Sequence, residues 1–275
     1  TWVEVTSSAA WGGRQSHTSV VYDNKIFVIG GYYGSSHTSS FSDIWASSDG
    51  GVTWVEVVAS TGWGIRNAHT SVVFENKIFV LGGYGTTLMN DVWASSDGGV
   101  TWVEVVSSAP WRTRRYHQSV VFDGKIFVMG GYDQLLNDVW ASSDAGVTWV
   151  EVIAAADWSG RWQFNSVVYR DQIFVMGGEG VQGSLFNDVW ASSDGGTTWV
   201  EYVADKVWGG RDGSTSVVHG DLIYVMGGWD AHLLNEVWYL DLSLPPPSQV
   251  NQVIGSVWIG GSIAFIGYIG INYIK

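Results

Sequence analysis

The sequence predicts an all-β protein, a five-bladed β-propeller, and three repeated features predict it. A hairpin motif that reads SSDGGVTWVEV at residues 47–57 recurs with small changes from residues 95, 142 and 192. Glycine doublets keep the same period and begin at Gly30, Gly82, Gly130, Gly177 and Gly227. The second half of the hairpin motif opens the chain at residues 1–5, and its first half recurs at residues 236–240. A period of this length is typical of propeller blades.

Each repeat contains four short apolar segments that are predicted to be strands. In the first repeat they are His17–Tyr22, Lys25–Ile29, Asp43–Ser47 and Trp54–Val58. These segments are rich in β-branched and aromatic residues and are bounded by Gly, Asp, Asn and Ser, which are strand and turn signals. No helical periodicity is present before residue 250. Each repeat is therefore predicted to form one four-stranded blade.

The two ends of the repeat region are predicted to meet in one blade. Four repeats contain all four predicted strands, whereas the last repeat, residues 214–242, lacks the TWVEV segment. Thr1–Val5 supplies that missing segment at the other end of the chain. Its addition to the last blade would close the ring and leave no long sheet edge exposed. We therefore expect residues 1–244 to form one propeller closed by its N-terminal strand.

Composition excludes several classes of function. The formal net charge is −13, which argues against nucleic acid as a partner because nucleic-acid affinity depends on basic contacts to phosphate. Cysteine is absent, so disulfides, thiolate metal sites and cysteine nucleophiles are excluded. Aromatic residues make up 15% of the chain, which is typical of a packed domain rather than a disordered one.

The repeats carry a resemblance to known families. The glycine doublet followed by N-D-V-W, as in Gly130-Gly131 and Asn137–Trp140, is similar to the kelch repeat. The S-x-D-x-G-x-T-W motif at residues 47–54 resembles the Asp-box of sialidase-type propellers. The resemblance covers about residues 1–242 and implies a propeller, a fold that enzymes, lectins and scaffolds share. Mixed repeats of this kind also resemble proteins of unicellular algae, which implies a photosynthetic or respiratory host complex.

Three repeated polar positions are predicted to be structural. The Asp of each hairpin motif is expected to accept hydrogen bonds from its own turn, with calcium binding as the alternative. The Arg of each W-x-x-R motif is expected to stack on Trp and join neighbouring blades, with partner binding as the alternative. His17, His69 and His117 head three inner strands and are expected to be hydrogen-bonded within the fold, with a shared metal ion as the alternative.

The sequence predicts no catalytic site and no cofactor. Near-identical blades do not bring an unlike acid, base and nucleophile together. The five repeated Arg residues occupy one equivalent position, and a copper site with a Tyr–Cys crosslink is excluded because the chain has no Cys. Glycosidase carboxylate pairs can be drawn from Glu179, Asp133 and Asp230, but nothing distinguishes these residues from solvated loop acids.

Recognition is predicted where the repeats differ, because loops on a rigid scaffold carry function. The residue after each glycine doublet varies: Tyr32, Tyr84, Tyr132, Glu179 and Trp229. A basic cluster at residues 112–116 adds Arg112 and Arg115 to an acidic body. Arg and aromatic residues are common interface anchors. We expect these seven residues to bind a protein partner, with sugar binding by the Tyr and Trp residues as the alternative.

The composition changes after residue 244. A Pro-rich linker at residues 245–249 precedes residues 250–275, which carry no charge before Lys275. As a helix this segment would exceed the hydrocarbon thickness of about 30 Å, and Lys275 would favour a propeller on the non-cytoplasmic side. Four small residues on one helical face predict packing against other membrane helices: Ser256, Gly260, Ala264 and Gly267. The alternative is a tail that docks on protein as irregular or β structure.

Together these features predict a non-catalytic, single-pass membrane protein that acts as an accessory or scaffold subunit of a membrane complex. Its partners would be other membrane subunits and the lipid bilayer, and its location the lumenal or extracellular side of a membrane. A thylakoid or mitochondrial membrane is the location that the algal resemblance implies. The alternatives are a membrane-tethered lectin and, third, a glycosidase.

Overall fold

The computed structural model describes residues 3–34, 39–203 and 208–242, which form nineteen strands in five antiparallel sheets. Four sheets have four strands each, and the fifth sheet has three. The strands of blades 1 to 3 are β1 (Thr18–Tyr22), β2 (Lys25–Ile29), β3 (Ile44–Ser47), β4 (Val55–Val58), β5 (Thr70–Phe74), β6 (Lys77–Tyr84), β7 (Leu88–Ser95), β8 (Val103–Val106), β9 (Gln118–Phe122), β10 (Lys125–Gly131), β11 (Leu136–Ser142) and β12 (Val150–Ile153). Those of blades 4 and 5 are β13 (Asn165–Tyr169), β14 (Gln172–Met176), β15 (Val189–Ser192), β16 (Val200–Val203), β17 (Thr215–His219), β18 (Leu222–Met226) and β19 (Val237–Asp241). The predicted five-bladed all-β propeller is confirmed.

Tight hairpins explain why the strands begin and end where the sequence predicts. Tyr22 pairs with Lys25 across a two-residue turn. The turn residues Asp23 and Asn24 have φ values of 48° and 56°. Positive φ at both positions is characteristic of type I′ turns, whose twist matches that of the flanking strands, and Asn and Asp tolerate it. The observed β2 has the predicted bounds, and the other three strands of blade 1 differ by one residue at one end.

The hydrophobic core lies between neighbouring blades. The inner strands pack in sequence: β1 against β5, β5 against β9, β9 against β13, and β13 against β17. Phe27 and Ile44 of blade 1 pack with Ile78 and Val80 of blade 2, and all four are almost fully buried. Three equivalent clusters join blades 2 to 5. The described residues therefore make four blade-to-blade interfaces of one type.

The predicted closing strand is not formed in its described part. Val3–Val5 has no strand structure, and the described residues of blade 5 form three strands. Val5 nevertheless approaches blade 1, because a Cβ at Gly51 would lie 3.8 Å from Val5 Cγ1. Val57 of blade 1 makes the same approach to Gly99 of blade 2, at 3.9 Å. Val5 thus lies against blade 1 as Val57, in the fourth strand of blade 1, lies against blade 2. Closure of the ring by pairing with β19 stays a prediction.

The predicted linker and membrane helix, residues 245–249 and 250–275, lie outside the described residues. The four small residues predicted to pack in the membrane lie outside them as well: Ser256, Gly260, Ala264 and Gly267. Among the residues that the structure does describe, no helix is long and apolar enough to span a membrane.

Candidate functional site at one end of the propeller axis

The Arg of each W-x-x-R motif braces its own blade. Arg114 is fully buried and donates two hydrogen bonds to the Asp138 carboxylate, at 2.8 and 2.6 Å. It also donates to the carbonyl of Gly130 at 2.9 Å. Trp140 Nε1 donates to the same carboxylate at 2.8 Å. The equivalent pairs are Arg14–Asp43, Arg66–Asp91, Arg161–Asp188 and Arg211–Glu236.

The expected role of this Arg side chain as a link between blades is therefore corrected. Its bonds stay within one blade because the acid and the glycine carbonyl belong to the same sheet. The link between blades runs through the backbone instead: the Gly131 N–H of blade 3 donates to the carbonyl of Arg161, which leads into blade 4, at 2.9 Å. The buried Arg residues are accordingly part of the framework.

The Asp of the hairpin motif organises its own turn, as predicted. The Asp49 carboxylate accepts hydrogen bonds from the Thr53 backbone N–H, at 2.9 Å, and from the Thr53 hydroxyl, at 2.6 Å. The Ser47 hydroxyl donates to it at 2.8 Å. These donors lower the pKa of Asp49 to about 2. Both carboxylate oxygens are engaged in the turn, so the residue is structural.

The inner-strand histidines are held between blades. His69 Nε2 lies 3.0 Å from the Thr18 hydroxyl of the preceding blade, and His117 Nε2 lies 3.0 Å from the Thr70 hydroxyl. Both rings are buried. Burial, helped by Arg114, lowers the pKa of His117 to about 3. Within the described part of the chain, no group of three or more His, Cys, Asp or Glu residues could hold a metal ion.

The residue that follows each glycine doublet lies on a surface that all five blades share. Gly131 has φ of 105°, and a Cβ there would lie 2.7 Å from the His117 Cβ, so a side chain is not accommodated. The residue that follows each doublet pairs through two backbone hydrogen bonds with the residue that follows the buried Arg. We call these ten residues the axial mouth: Gln15–Tyr32, Asn67–Tyr84, Arg115–Tyr132, Trp162–Glu179 and Asp212–Trp229.

The mouth lies around the propeller axis. A chain of backbone hydrogen bonds runs from blade to blade just before the inner strands, through Ser16, Ala68, Tyr116, Gln163 and Gly213. The side chain of Tyr32 from blade 1 hydrogen-bonds with Tyr116 from blade 3. Because these two blades are not neighbours, this contact crosses the axis.

One side of the mouth is aromatic and cationic. The Arg115 guanidinium lies 5.3 Å from the ring centres of Tyr84 and Tyr132 and 5.5 Å from that of Tyr116. The Trp162 ring lies 5.3 Å from Tyr116 and 5.4 Å from Tyr132. Cation–π and ring–ring contacts of this kind hold large side chains in fixed positions. The cluster is therefore a preorganised surface of rings around one cation.

The other side of the mouth is acidic. Glu179 of blade 4 and Asp212, which leads into blade 5, are hydrogen-bonded through their side chains. Partial burial and Asp212 together raise the pKa of Glu179 to about 7, and burial raises that of Asp212. The two carboxyl groups therefore share a proton near neutral pH. Trp229, beside Asp212, is 45% exposed.

The structure brings most of the predicted partner residues together. Tyr84, Tyr132, Glu179, Trp229 and Arg115 all lie at the mouth. Tyr32 lies there too but is only 8% exposed, so it supports Tyr116 and has little surface to offer a partner. Arg112 lies outside the ring on an exposed loop, where it donates to the Gln134 side chain at 2.9 Å.

Sequence reasoning missed part of the mouth. The residue after each buried Arg completes it, and in blades 1, 2 and 5 these are Gln15, Asn67 and Asp212. Arg115 was singled out because it lies in a basic cluster, and its equivalence to Asp212 follows from the shared position after the repeated Arg. That register was the signal available in the sequence.

Comparison with known proteins decides the family. A family model described as the KLHDC2/KLHL20/DRC7 Kelch-repeats domain matches residues 1–131 and again residues 100–249. The chain belongs to the kelch-repeat family. Among curated proteins, nothing matches this kelch chain. Kelch propellers mediate protein–protein interactions and are typically non-catalytic.

Proposed function

We propose that this kelch propeller is a non-catalytic interaction scaffold that binds its protein partner at the axial mouth. The observation that carries the proposal is where the repeats diverge. The Arg–acid braces, Asp turns and inner strands repeat from blade to blade, whereas the mouth positions carry five different pairs. Divergence on a constant framework is expected of a recognition surface.

The chemistry of the mouth fits a protein partner. Tyr132 and Trp229 expose 38% and 45% of their surface, and Arg115 is held among rings. Tyr, Trp and Arg are the residues most enriched among energetic anchors of interfaces. The contacts around Arg115 also fix these side chains before binding, which reduces the entropy lost on association.

Position-specific crosslinking tests this proposal. A photoreactive residue at position 132 or 229 should capture the same companion in cells or native extracts. A matched control at Asp123 lies in a hairpin turn at the opposite end of the inner strands and should capture nothing in common with them. Capture of the companion from position 123 alone would refute the proposed surface.

The geometry gives less support to a glycosidase. Glycosidase carboxyl groups flank the scissile bond at separations of about 5–9.5 Å, which leaves room for the sugar or for water. Glu179 instead hydrogen-bonds directly with Asp212, and Asp133 lies 3.8 Å from Arg112. Sugar binding by exposed Trp229 remains the alternative. Glycan-array binding that disappears in the Trp229→Ala variant would favour a sugar over a protein as the ligand of the mouth.

Membrane attachment through residues 250–275 and membership of a membrane complex remain predictions of the sequence. The uncharged length of that segment is what supports them. Co-purification of stoichiometric membrane subunits in mild detergent, lost on Gly260→Leu, would support both predictions. A protein that stays in the aqueous phase after cell disruption would contradict both predictions.

A further inference from the structure

Blade 5 has one apolar face that no described residue covers. The equivalent face of blade 4 is buried by blade 5, and Phe174 and Met176 on it have no exposed surface. At the corresponding positions blade 5 has Tyr224 and Met226, which are only partly buried. Further out, Val237 and Tyr239 are 57% and 63% exposed.

The exposed residues form one side of the sheet. Along β18, the buried residues Ile223 and Val225 alternate with them and point the other way into the core shared with blade 4. Along β17 and β19 the alternate residues are partly buried, and Val218, Trp238 and Leu240 pack against that same core. Val217 of the inner strand adds a 45% exposed side chain to the free side. We call this side the blade 5 face, defined by Val217, Tyr224, Met226, Val237 and Tyr239. A continuous exposed apolar surface of this kind indicates a binding surface.

Blade 1 does not cover the blade 5 face. At the other four junctions the second glycine of the doublet donates a backbone hydrogen bond to the Arg carbonyl of the next blade, as Gly178 does to Arg211 at 2.8 Å. No equivalent bond joins Gly228 to Arg14 in the described structure. The inner strands β17 and β1 also lack the packing that joins every other neighbouring pair. Another segment is needed to bury this surface.

A segment of the tail resembles the first hairpin of a blade, and the first hairpins of blades 2 to 5 cover the equivalent faces of the preceding blades. Residues 256–267 read SVWIGGSIAFIG, and the first hairpin of blade 1, residues 19–30, reads SVVYDNKIFVIG. Five residues are identical at the same spacing: Ser256, Val257, Ile263, Ile266 and Gly267. The turn pair of the tail is Gly-Gly, which suits the positive φ values that the equivalent pair Asp23-Asn24 adopts.

We propose that residues 256–267 form a β-hairpin that packs on the blade 5 face as the start of a further blade. Ile263 and Phe265 correspond to Ile78 and Val80, the blade 2 residues that pack on blade 1. The connection from Leu242 has 13 residues, 243–255, which can extend to about 43 Å. A four-stranded blade is only about 15–20 Å across, so the connection can reach the inner end of the face.

The proposal gives the uncharged tail a partner within its own chain. It is independent of the function proposed for the axial mouth, because the blade 5 face and the mouth involve different residues. Insertion into a bilayer also requires a segment without charge. It does not require Ser-Val, a two-residue turn and a final Ile-Gly at the same spacing as in residues 19–30 of blade 1. That agreement in position favours the hairpin.

Cysteine labelling of the full-length chain tests the proposal, and the absence of native Cys makes the signal specific. A single Cys is introduced as Val237→Cys or, in a second variant, Tyr239→Cys. Its reaction with a water-soluble maleimide is timed in dilute protein in mild detergent. We expect at least tenfold slower labelling than in the same protein carrying Phe265→Asp. Ser262→Asp is the matched control and should leave protection intact, since its equivalents, Lys25 and Lys125, are exposed.

Three results would overturn the proposal. Equal, rapid labelling with and without Phe265→Asp would show that the tail does not cover the face. Protection of an Ala264→Cys variant by lipid vesicles, with rapid labelling at position 237, would assign the tail to the bilayer. Protection that rises with protein concentration and is insensitive to Phe265→Asp would assign the face to a second copy of the chain.

Discussion

At the scale of single residues, five buried guanidinium groups brace the blades. Each has a carboxylate partner, a glycine carbonyl and a stacked ring, as Arg114 has with Asp138, Gly130 and Trp111. A buried ion pair contributes little over an apolar pair of equal volume, but loss of one partner leaves a buried charge uncompensated. These positions are therefore predicted to be intolerant of single substitutions.

Arg114→Ala is predicted to lower the free energy of unfolding by about 3–5 kcal/mol, because it leaves the Asp138 carboxylate in the protein interior without a cationic partner. Urea denaturation followed by Trp fluorescence measures the change. Arg112→Ala is the matched control: its side chain is 52% exposed, so less than about 1 kcal/mol is expected. Equal effects of the two substitutions would contradict the assigned role.

His117→Phe is predicted to weaken the loss of stability in acid. The folded pKa of His117, about 3, lies below its ordinary value of 6.5, so between these values the unfolded chain binds more protons and stability falls as pH falls. One such group contributes at most about 1.4 kcal/mol per pH unit. Phe164 occupies the equivalent position in blade 4, so a phenyl ring fits the fold. If the free energy of unfolding of the variant has the same slope against pH as that of the wild type between pH 6 and pH 4, this interpretation is refuted.

Glu179→Gln is predicted to have the opposite pH signature. The folded pKa of Glu179 is raised from 4.5 to about 7, so its stabilising contribution is present below pH 4.5 and is lost as pH rises through 7. Gln keeps a hydrogen bond to Asp212 without a second charge. The variant should therefore gain stability relative to the wild type between pH 5 and pH 8, measured as the difference in unfolding free energy. A gain that shrinks over that range would exclude the shared proton.

At the scale of the elements, one Asp organises the outer hairpin turn in each of blades 1 to 4. Asp144 accepts from the Thr148 backbone and hydroxyl, at 2.8 and 2.6 Å, and its turn contacts Val92 of the preceding blade. Asp144→Ala should cost roughly 1 kcal/mol, since the bonds are charge-assisted but open to solvent. Asp144→Asn should cost less, because it retains an acceptor. Chemical denaturation of both variants provides the comparison.

Strands and turns were predictable because their causes are local. The type I′ pair Asp23-Asn24 and the alternation in Lys25–Ile29 fixed β2 to the residue. The contact between Glu179 and Asp212 joins different repeats, and the spacing of residues in the sequence does not predict such a contact. The burial of Tyr32 was missed for the same reason, since Tyr116 from a distant blade covers it.

At the scale of the whole molecule, the repeats predicted five blades but did not reveal how the ring ends. Four interfaces follow from identical packing of neighbouring repeats. The fifth was expected from residues 1–5, yet in the described residues 3–5 only Val5 approaches blade 1, and none of them pairs with β19. Closure depends on long-range packing between chain ends, which a period in the sequence does not determine.

The central claim is that a constant kelch framework presents a variable mouth to a protein partner. The direct test is the dissociation constant of the crosslinked companion for Trp229→Ala and Tyr132→Ala, with Tyr33→Ala as the control, since Tyr33 is 65% exposed outside the mouth. The account predicts at least tenfold weaker binding for a mouth substitution, equivalent to about 1.4 kcal/mol, and unchanged binding for the control. Unchanged affinity in both mouth variants would contradict it.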